Sequence, residues 1–236
     1  MNEPLNGVRF PGETDEYRSA RNELLETEIE LRRQTEAVAA QRRGLPLGGE
    51  VPTDYGFEES TGDTHSTRTV RLSELFEDGK DTLLLYSFMF IPGEAGIPLE
   101  AGCPSCTSII DALDGEAPHI MQRVSFAVAA KVPIQQFREH ARSRGWRNIR
   151  LLSSAKTTYN HDYHAEAPDG RQDPMATVFV RRDGKIHHFW SSELYYAPTD
   201  PGQDPRHVDF MWPLWSVLDV TPEGRGSDWG PQLAYS

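Results

Sequence analysis

Cys103-Pro104-Ser105-Cys106 holds the only two cysteines of this 236-residue chain, and its spacing specifies a chemistry. Two intervening residues let both sulfurs meet across one helical turn, where a short disulfide can form and break. With Cys103 as the N-cap, Pro104 falls on the first helical position, where its fixed φ is suitable and its missing N–H costs nothing. The free amides of the first turn, Ser105 among them, then point at Cys103 and, with the positive end of the helix dipole, favour a thiolate. Its pKa is expected below ~8.5, in the range of about 3.5 to 7.5. Cys103 is therefore the candidate nucleophile. Cys106 shares helical spacing with Ile109, Ile110 and Leu113, a stripe that a helix buries, so a half-buried Cys106 suits resolution. Asp114-Gly115 is expected to stop the helix.

Two other readings use the same residues. A cysteine pair at this spacing is half of a zinc site, for which His161 and His164 could supply the remaining ligands. Two inert core thiols in a binding or assembly protein are the other. The segment Tyr159-Asn160-His161-Asp162-Tyr163-His164 is the densest polar aromatic cluster; if it is helical, His161 and His164 share a face, as a proton relay or a metal pair requires. Lys131, at the end of an apolar stretch, is a cation that could stabilise a thiolate or simply a solvated strand end.

These residues need elements to hold them. Leu83 to Phe90 is a nearly continuous apolar run, expected as a central strand buried on both faces. A loop from Ile91 to Gly102 leads from it to the cysteine helix, so the thiols lie beyond the C-terminal end of a central strand, where open α/β sheets place their sites. Val124 to Ala130, Pro133 to Arg144 with Gly145 as its stop, and Ile149 to Ser153 continue the alternation of strand and helix. Pro174 then precedes Met175 to Val180, which Asp183-Gly184 joins to Ile186 to Trp190 as a hairpin. Upstream, Thr14 to Arg43 reads as one amphipathic helix with Tyr17, Leu24, Leu31 and Val38 seven apart, a spacing that fits packing onto its own domain or a homodimer seam. Gly44 to His65 is expected to be an irregular connection, and Val70 to Leu72 an edge strand. Downstream, Phe210 to Trp215 is expected to cap the core or a neighbouring subunit, a substrate-binding platform being the alternative, with Pro213 limiting helix length. The organisation expected is an N-terminal extension and connector over 1–67, an α/β domain over 68–190, and a C-terminal extension over 191–236 packed on it.

Hydrophobic residues at 37% and charged residues at 25% describe a soluble globular protein. A formal net charge of -12 repels phosphate backbones and argues against nucleic-acid binding. The apolar run from Thr82 to Pro92 is too short for a bilayer, and the start, Met1-Asn2-Glu3-Pro4, lacks the basic and apolar regions of a secretory signal, so a cytoplasmic location is expected. In that compartment a close cysteine pair is more often catalytic or metal-bound than structural.

The order of strand, cysteine-bearing helix, strand, helix and Pro-led hairpin over Arg68 to Trp190 resembles the thioredoxin-like fold. Within it, Tyr86-Ser87-Phe88-Met89-Phe90, Gly102-Cys103-Pro104-Ser105-Cys106, Phe126-Ala127-Val128, Arg144-Gly145-Trp146, Ser153-Ser154 and Leu218-Asp219-Val220-Thr221-Pro222 resemble the bacterial family of predicted dithiol-disulfide oxidoreductases catalogued as domain of unknown function 899. Gly224-Arg225 and Asp228-Trp229 extend that likeness. The resemblance implies thiol–disulfide exchange without an organic cofactor or a metal. A disulfide-bearing protein or small molecule is then the substrate, and a reducing partner resets the pair. It also implies that Pro174 is a cis-proline facing the disulfide and that Asp173 beside it raises the pKa of a developing thiolate. Thioredoxin itself carries Trp-Cys-Gly-Pro-Cys and a buried acid on the preceding strand. Here Gly102 precedes Cys103, Pro takes the first intervening position, and no acid lies between Leu83 and Phe90, leaving Glu94 or Glu100 as candidate bases. A second likeness, of Ser125 through Ser154, is to the peroxiredoxins. In that register Cys106-Thr107 is the peroxidatic pair, Cys103 stands where a Thr is usual and is the candidate resolving thiol, and Pro98 is one residue out of place.

Overall fold

Thr14 caps a 29-residue helix, α1 (Asp15–Arg43), its hydroxyl oxygen accepting the Tyr17 N–H at 3.1 Å. Asp15 and Glu16 in the first turn and Arg42 and Arg43 in the last both complement the helix dipole. The N–H of Gly44 closes it on Ala40 O. The computed structural model describes residues 5–61, 66–90 and 101–235. It divides into two compact units, Met1–Pro46, which α1 dominates, and Leu47–Ser236. Tyr17, Leu24, Leu31 and Val38, the seven-residue stripe, are 40% to 66% exposed.

The second unit is built on one seven-stranded sheet. Its elements are β1 (Gly56–Ser60), β2 (Thr67–Arg71), β3 (Thr82–Phe88), α2 (Pro104–Ile120), β4 (Ser125–Ala130) and α3 (Ile134–Arg144), followed by β5 (Arg150–Ser153), α4 (Tyr159–Asp162), β6 (Met175–Arg182), β7 (Lys185–Ser191) and α5 (Pro213–Leu218). The strand order is β2-β1-β5-β4-β3-β6-β7. β3, β4 and β5 are parallel, while β6 runs antiparallel to β3 and β7 antiparallel to β6. The chain therefore has a thioredoxin-like mixed α/β fold. No helix of the described residues is long and apolar enough to cross a membrane.

Strand parity decides which side chains meet the cysteine helix. Successive residues of β3 face opposite sides of the sheet. Tyr86 and Phe88 accordingly join Phe126 and Val128 against Ile109, Ile110 and Phe137 of α2 and α3. Leu83 and Leu85 face the other side with Ala127, Leu152, Tyr159 and Phe179. Burial of one such large side chain stabilises by roughly 1.5–3 kcal/mol.

Two local expectations are corrected. The stretch Gly44 to His65 is not wholly irregular, because β1 pairs antiparallel with β2 and meets β5 at Glu58↔Ser153, extending the sheet. Glu59 anchors this extension by accepting from Arg68 and Arg150. The helix α2 also does not stop at Asp114-Gly115 but continues to Ile120. Asp114 uses its carboxylate elsewhere, accepting the N–H groups of Arg147, Asn148 and Ile149 at 2.8 to 3.2 Å. Pro118, lacking an N–H, cannot bond the Asp114 carbonyl four residues back, and the side-chain amide of Asn148 donates to that carbonyl at 2.9 Å instead.

Candidate active site

Cys103 is the N-cap of α2 and Pro104 its first residue. The Cys103 N–H donates to Met89 O at 2.9 Å, tying the cap to the end of β3, and its carbonyl accepts the Thr107 N–H at 2.8 Å. Both cysteines are free thiols and buried, Cys103 5% and Cys106 1% exposed. Their environments separate them electrically. A hydrogen bond from the Cys106 thiol, assisted by the backbone N–H groups of Cys106 and Ser105 and by the Ser105 hydroxyl, outweighs burial and holds Cys103 down to about 6. Cys106 is pushed well above the ordinary thiol range, first by burial and then by Cys103 itself. The first-turn amides invoked from sequence contribute, but the neighbouring thiol is the larger influence.

Tyr86 supplies a contact that the sequence did not assign. Its hydroxyl donates to Cys106 Sγ at 3.3 Å, and burial together with the two sulfurs raises its own pKa well above the ordinary phenol value. The result is a chain of donors from Tyr86 through Cys106 to Cys103. In an otherwise apolar strand, a phenol on the same parity as Phe88 was the available signal. Below the motif, Thr107 Oγ1 and His140 Nε2 share a 3.0 Å hydrogen bond. The His140 ring packs 5.5 Å from Phe88, and burial, then Arg144, lowers its pKa.

The remaining candidates separate into those near the thiols and those elsewhere. Pro174 lines the same cleft as Cys103, Ser105 and Cys106. Its peptide bond with Asp173 is trans, contrary to the cis expectation, since no cis peptide bond occurs among the described residues. An extended bridge, Glu166↔Gln172, and a bond from Asp173 N–H to Ala165 O already set the approach to Pro174, and the trans form is intrinsically favoured by about 0.5–1 kcal/mol. Asp173 is buried, accepts from the Tyr195 hydroxyl at 3.4 Å, and faces Arg171 at 3.6 Å. Lys131 is engaged with Glu166 and not with a sulfur.

His161 and His164 do not form the expected pair. α4 is only four residues long, His161 is 71% exposed beside Asp162, and His164 has a φ of 55° that breaks any helical face. His164 lines a separate cavity with Tyr163 and His188. No group of three or more His, Cys, Asp or Glu side chains able to hold a metal occurs among the described residues. Glu94, Glu100 and Pro98 lie outside those residues.

The cleft over the thiols has a second wall that came from far along the chain. Val208, Asp209 and Trp212 line it opposite Tyr86, Met89 and Ile109, enclosing about 230 Å³. The indole N–H of Trp212 donates to Ser108 Oγ at 3.0 Å, so this wall is fastened to the cysteine helix.

A family model described as "Bacterial protein of unknown function (DUF899)" matches residues 8–235. No curated protein matches the chain. Among solved structures, the reduced 2-Cys peroxiredoxin of Plasmodium vivax is 20% identical over 73% of this chain and 96% of that one, with a TM-score of 0.44. The 1-Cys peroxiredoxin of Plasmodium falciparum is 13% identical over 70% and 95%, with a TM-score of 0.46. An exposed lipoprotein thioredoxin of Streptococcus pneumoniae is 12% identical over 69% and 99%, with a TM-score of 0.40.

Proposed function

The chain belongs to the DUF899 family of bacterial proteins, and we propose that it is a thiol–disulfide oxidoreductase in which Cys103 attacks and Cys106 resolves. The observation that carries this reading is the placement of the pair: Cys103 caps α2 while Cys106 lies buried in its first turn under the Tyr86 hydroxyl, an arrangement that favours thiolate on the first sulfur and thiol on the second. Thiolate character makes the nucleophile, while a buried neighbour kept protonated waits for the second step.

The sequence of steps balances on the chain's own groups. The Cys103 thiolate attacks one sulfur of a substrate disulfide; a Cys103–substrate bond forms as the substrate S–S bond breaks, and the first product leaves as a thiolate. Cys106 gives up its proton to that leaving group and attacks Cys103 Sγ, so that the Cys103–Cys106 disulfide forms and the second product thiolate departs. Two electrons pass from the dithiol to the substrate, and an external dithiol returns the pair to its reduced form. The Tyr86 hydroxyl stabilises the Cys106 thiolate as it develops by donating a hydrogen bond to it.

The peroxidase reading through Cys106 has less support here, because that thiol is the more buried and is pushed toward its neutral form. Trapping tests the choice. Cys106→Ser should accumulate a mixed disulfide on Cys103, and Cys103→Ser should trap nothing. The reverse pattern, or loss of reduced thiols to micromolar hydrogen peroxide faster than to a disulfide, would replace this proposal by thiol peroxidase chemistry. Stoichiometric zinc on the cysteine pair would replace it by a structural role.

A further inference from the structure

The thiols lie beneath a wall fastened from outside the cleft. Arg225 pairs with Asp209 at 2.6 Å and with Asp219 at 2.7 Å, and its guanidinium lies 5.4 Å from the centre of the Trp215 ring. Trp215 in turn packs 5.2 Å from Trp212, the residue bonded to Ser108 on the cysteine helix. What remains between wall and sulfurs is about 230 Å³, below the ~300–1,000 Å³ of sites that take drug-sized ligands.

The lining also constrains charge. Arg206 is paired with Asp219 at 3.2 Å and Asp209 with Arg225 at 2.6 Å, while exposed Asp204 accepts the backbone N–H of Arg206 at 2.8 Å. His207 differs: its Nε2 is buried without a hydrogen-bond partner, while the ring packs 4.7 Å from Tyr195. Burial lowers the His207 pKa, against the opposing pull of Asp204 and Asp209.

We propose that this cleft selects small, uncharged disulfides and excludes the disulfides of folded proteins and of charged peptides. The proposal rests on the thiol–disulfide reading above and narrows its substrate. A protein disulfide brings two backbones with Cα atoms about 4.4–6.8 Å apart, and Cys103, 5% exposed, can reach it only if the wall is displaced. Each turnover reduces one such disulfide to two thiols with the two electrons of Cys103 and Cys106, and an external dithiol reductant resets the pair.

The test compares rates of thiol loss in the reduced full chain with bis(2-hydroxyethyl) disulfide, glutathione disulfide and insulin. The first should react faster than the other two by more than about tenfold. Equal rates overturn the selectivity and leave the redox reading standing; no reaction with any of the three overturns both. Arg225→Gln, which releases the anchor without lining the cleft, should raise the insulin rate relative to the small disulfide, and an unchanged ratio counts against the wall.

Discussion

A buried thiol that donates to a second thiol divides one proton unequally between them, and the division is measurable. With Cys103 held down to about 6, chiefly by the Cys106 hydrogen bond, its thiolate fraction grows as pH rises through that value and is complete about two units above it. Alkylation by iodoacetamide should therefore climb from pH 5 to 7 and flatten by about 8, whereas an ordinary thiol keeps accelerating through ~8.5. Cys106→Ala removes the largest stabilising contact, so the midpoint should move upward; an unmoved midpoint would mean that the amides suffice alone. Tyr86→Phe tests the other end of the chain. Its lost donor raises Cys106 further and should slow closure of the internal disulfide by about tenfold, on the order of one hydrogen bond, while leaving Cys103 alkylation unchanged. Stopped-flow measurement of the two steps separates these outcomes. The cysteine motif was legible because spacing and a proline at the first helical position are local properties. The phenol was not, since its role depends on the strand's facing and on a partner 20 residues away.

Elements at this site are held by contacts that a local reading cannot weigh. Gly102 shows this most sharply. A Cβ there would stand 2.7 Å from the His140 ring and 2.8 Å from Phe88 Cζ, both fixed in a packed aromatic group with Phe90, Phe137 and Trp146. Gly102→Ala is expected to destabilise by about 1–3 kcal/mol through overpacking, seen as a lowered urea midpoint with an unchanged slope. Asp114 is the counterpart on α2. From sequence, Asp-Gly reads as a helix stop; in the fold the carboxylate holds three amides of the turn before β5, and the helix runs on. Asp114→Ala should cost about 1–2 kcal/mol, given the partial exposure of these bonds. The regular strands and their order, by contrast, were readable from apolar runs and the Asp183-Gly184 turn, because burial on both faces leaves a compositional trace. β1 left little trace: Gly56–Ser60 alternates weakly and gains its place by pairing with β2 and β5.

Over the whole chain, the candidate site is completed by a distant segment whose Trp212 bonds Ser108 of the cysteine helix, 104 residues before it. The aromatic run Phe210 to Trp215 could be recognised as a core cap, and Met211 and Trp212 do enter the core with Ile109 and Val208. That it also roofs the thiols followed from no periodicity, since it depends on where the short 3-10 turn Asp209–Met211 and α5 come to lie against the cysteine helix. Trp212 thus carries two tasks that substitutions can separate. Trp212→Phe keeps most of the apolar contact and loses the indole donor, leaving Ser108 Oγ without this partner, at a cost of about 1 kcal/mol. Trp212→Ala also opens a cavity and should cost about 3–5 kcal/mol. If the indole bond is what fastens the roof, a bulky maleimide should reach Cys103 in the folded Phe variant nearly as fast as in the Ala variant, under conditions where denaturant titration shows both to be native. If packing fastens it, only the Ala variant should label quickly, and the wall would then be held by the same burial that holds the core.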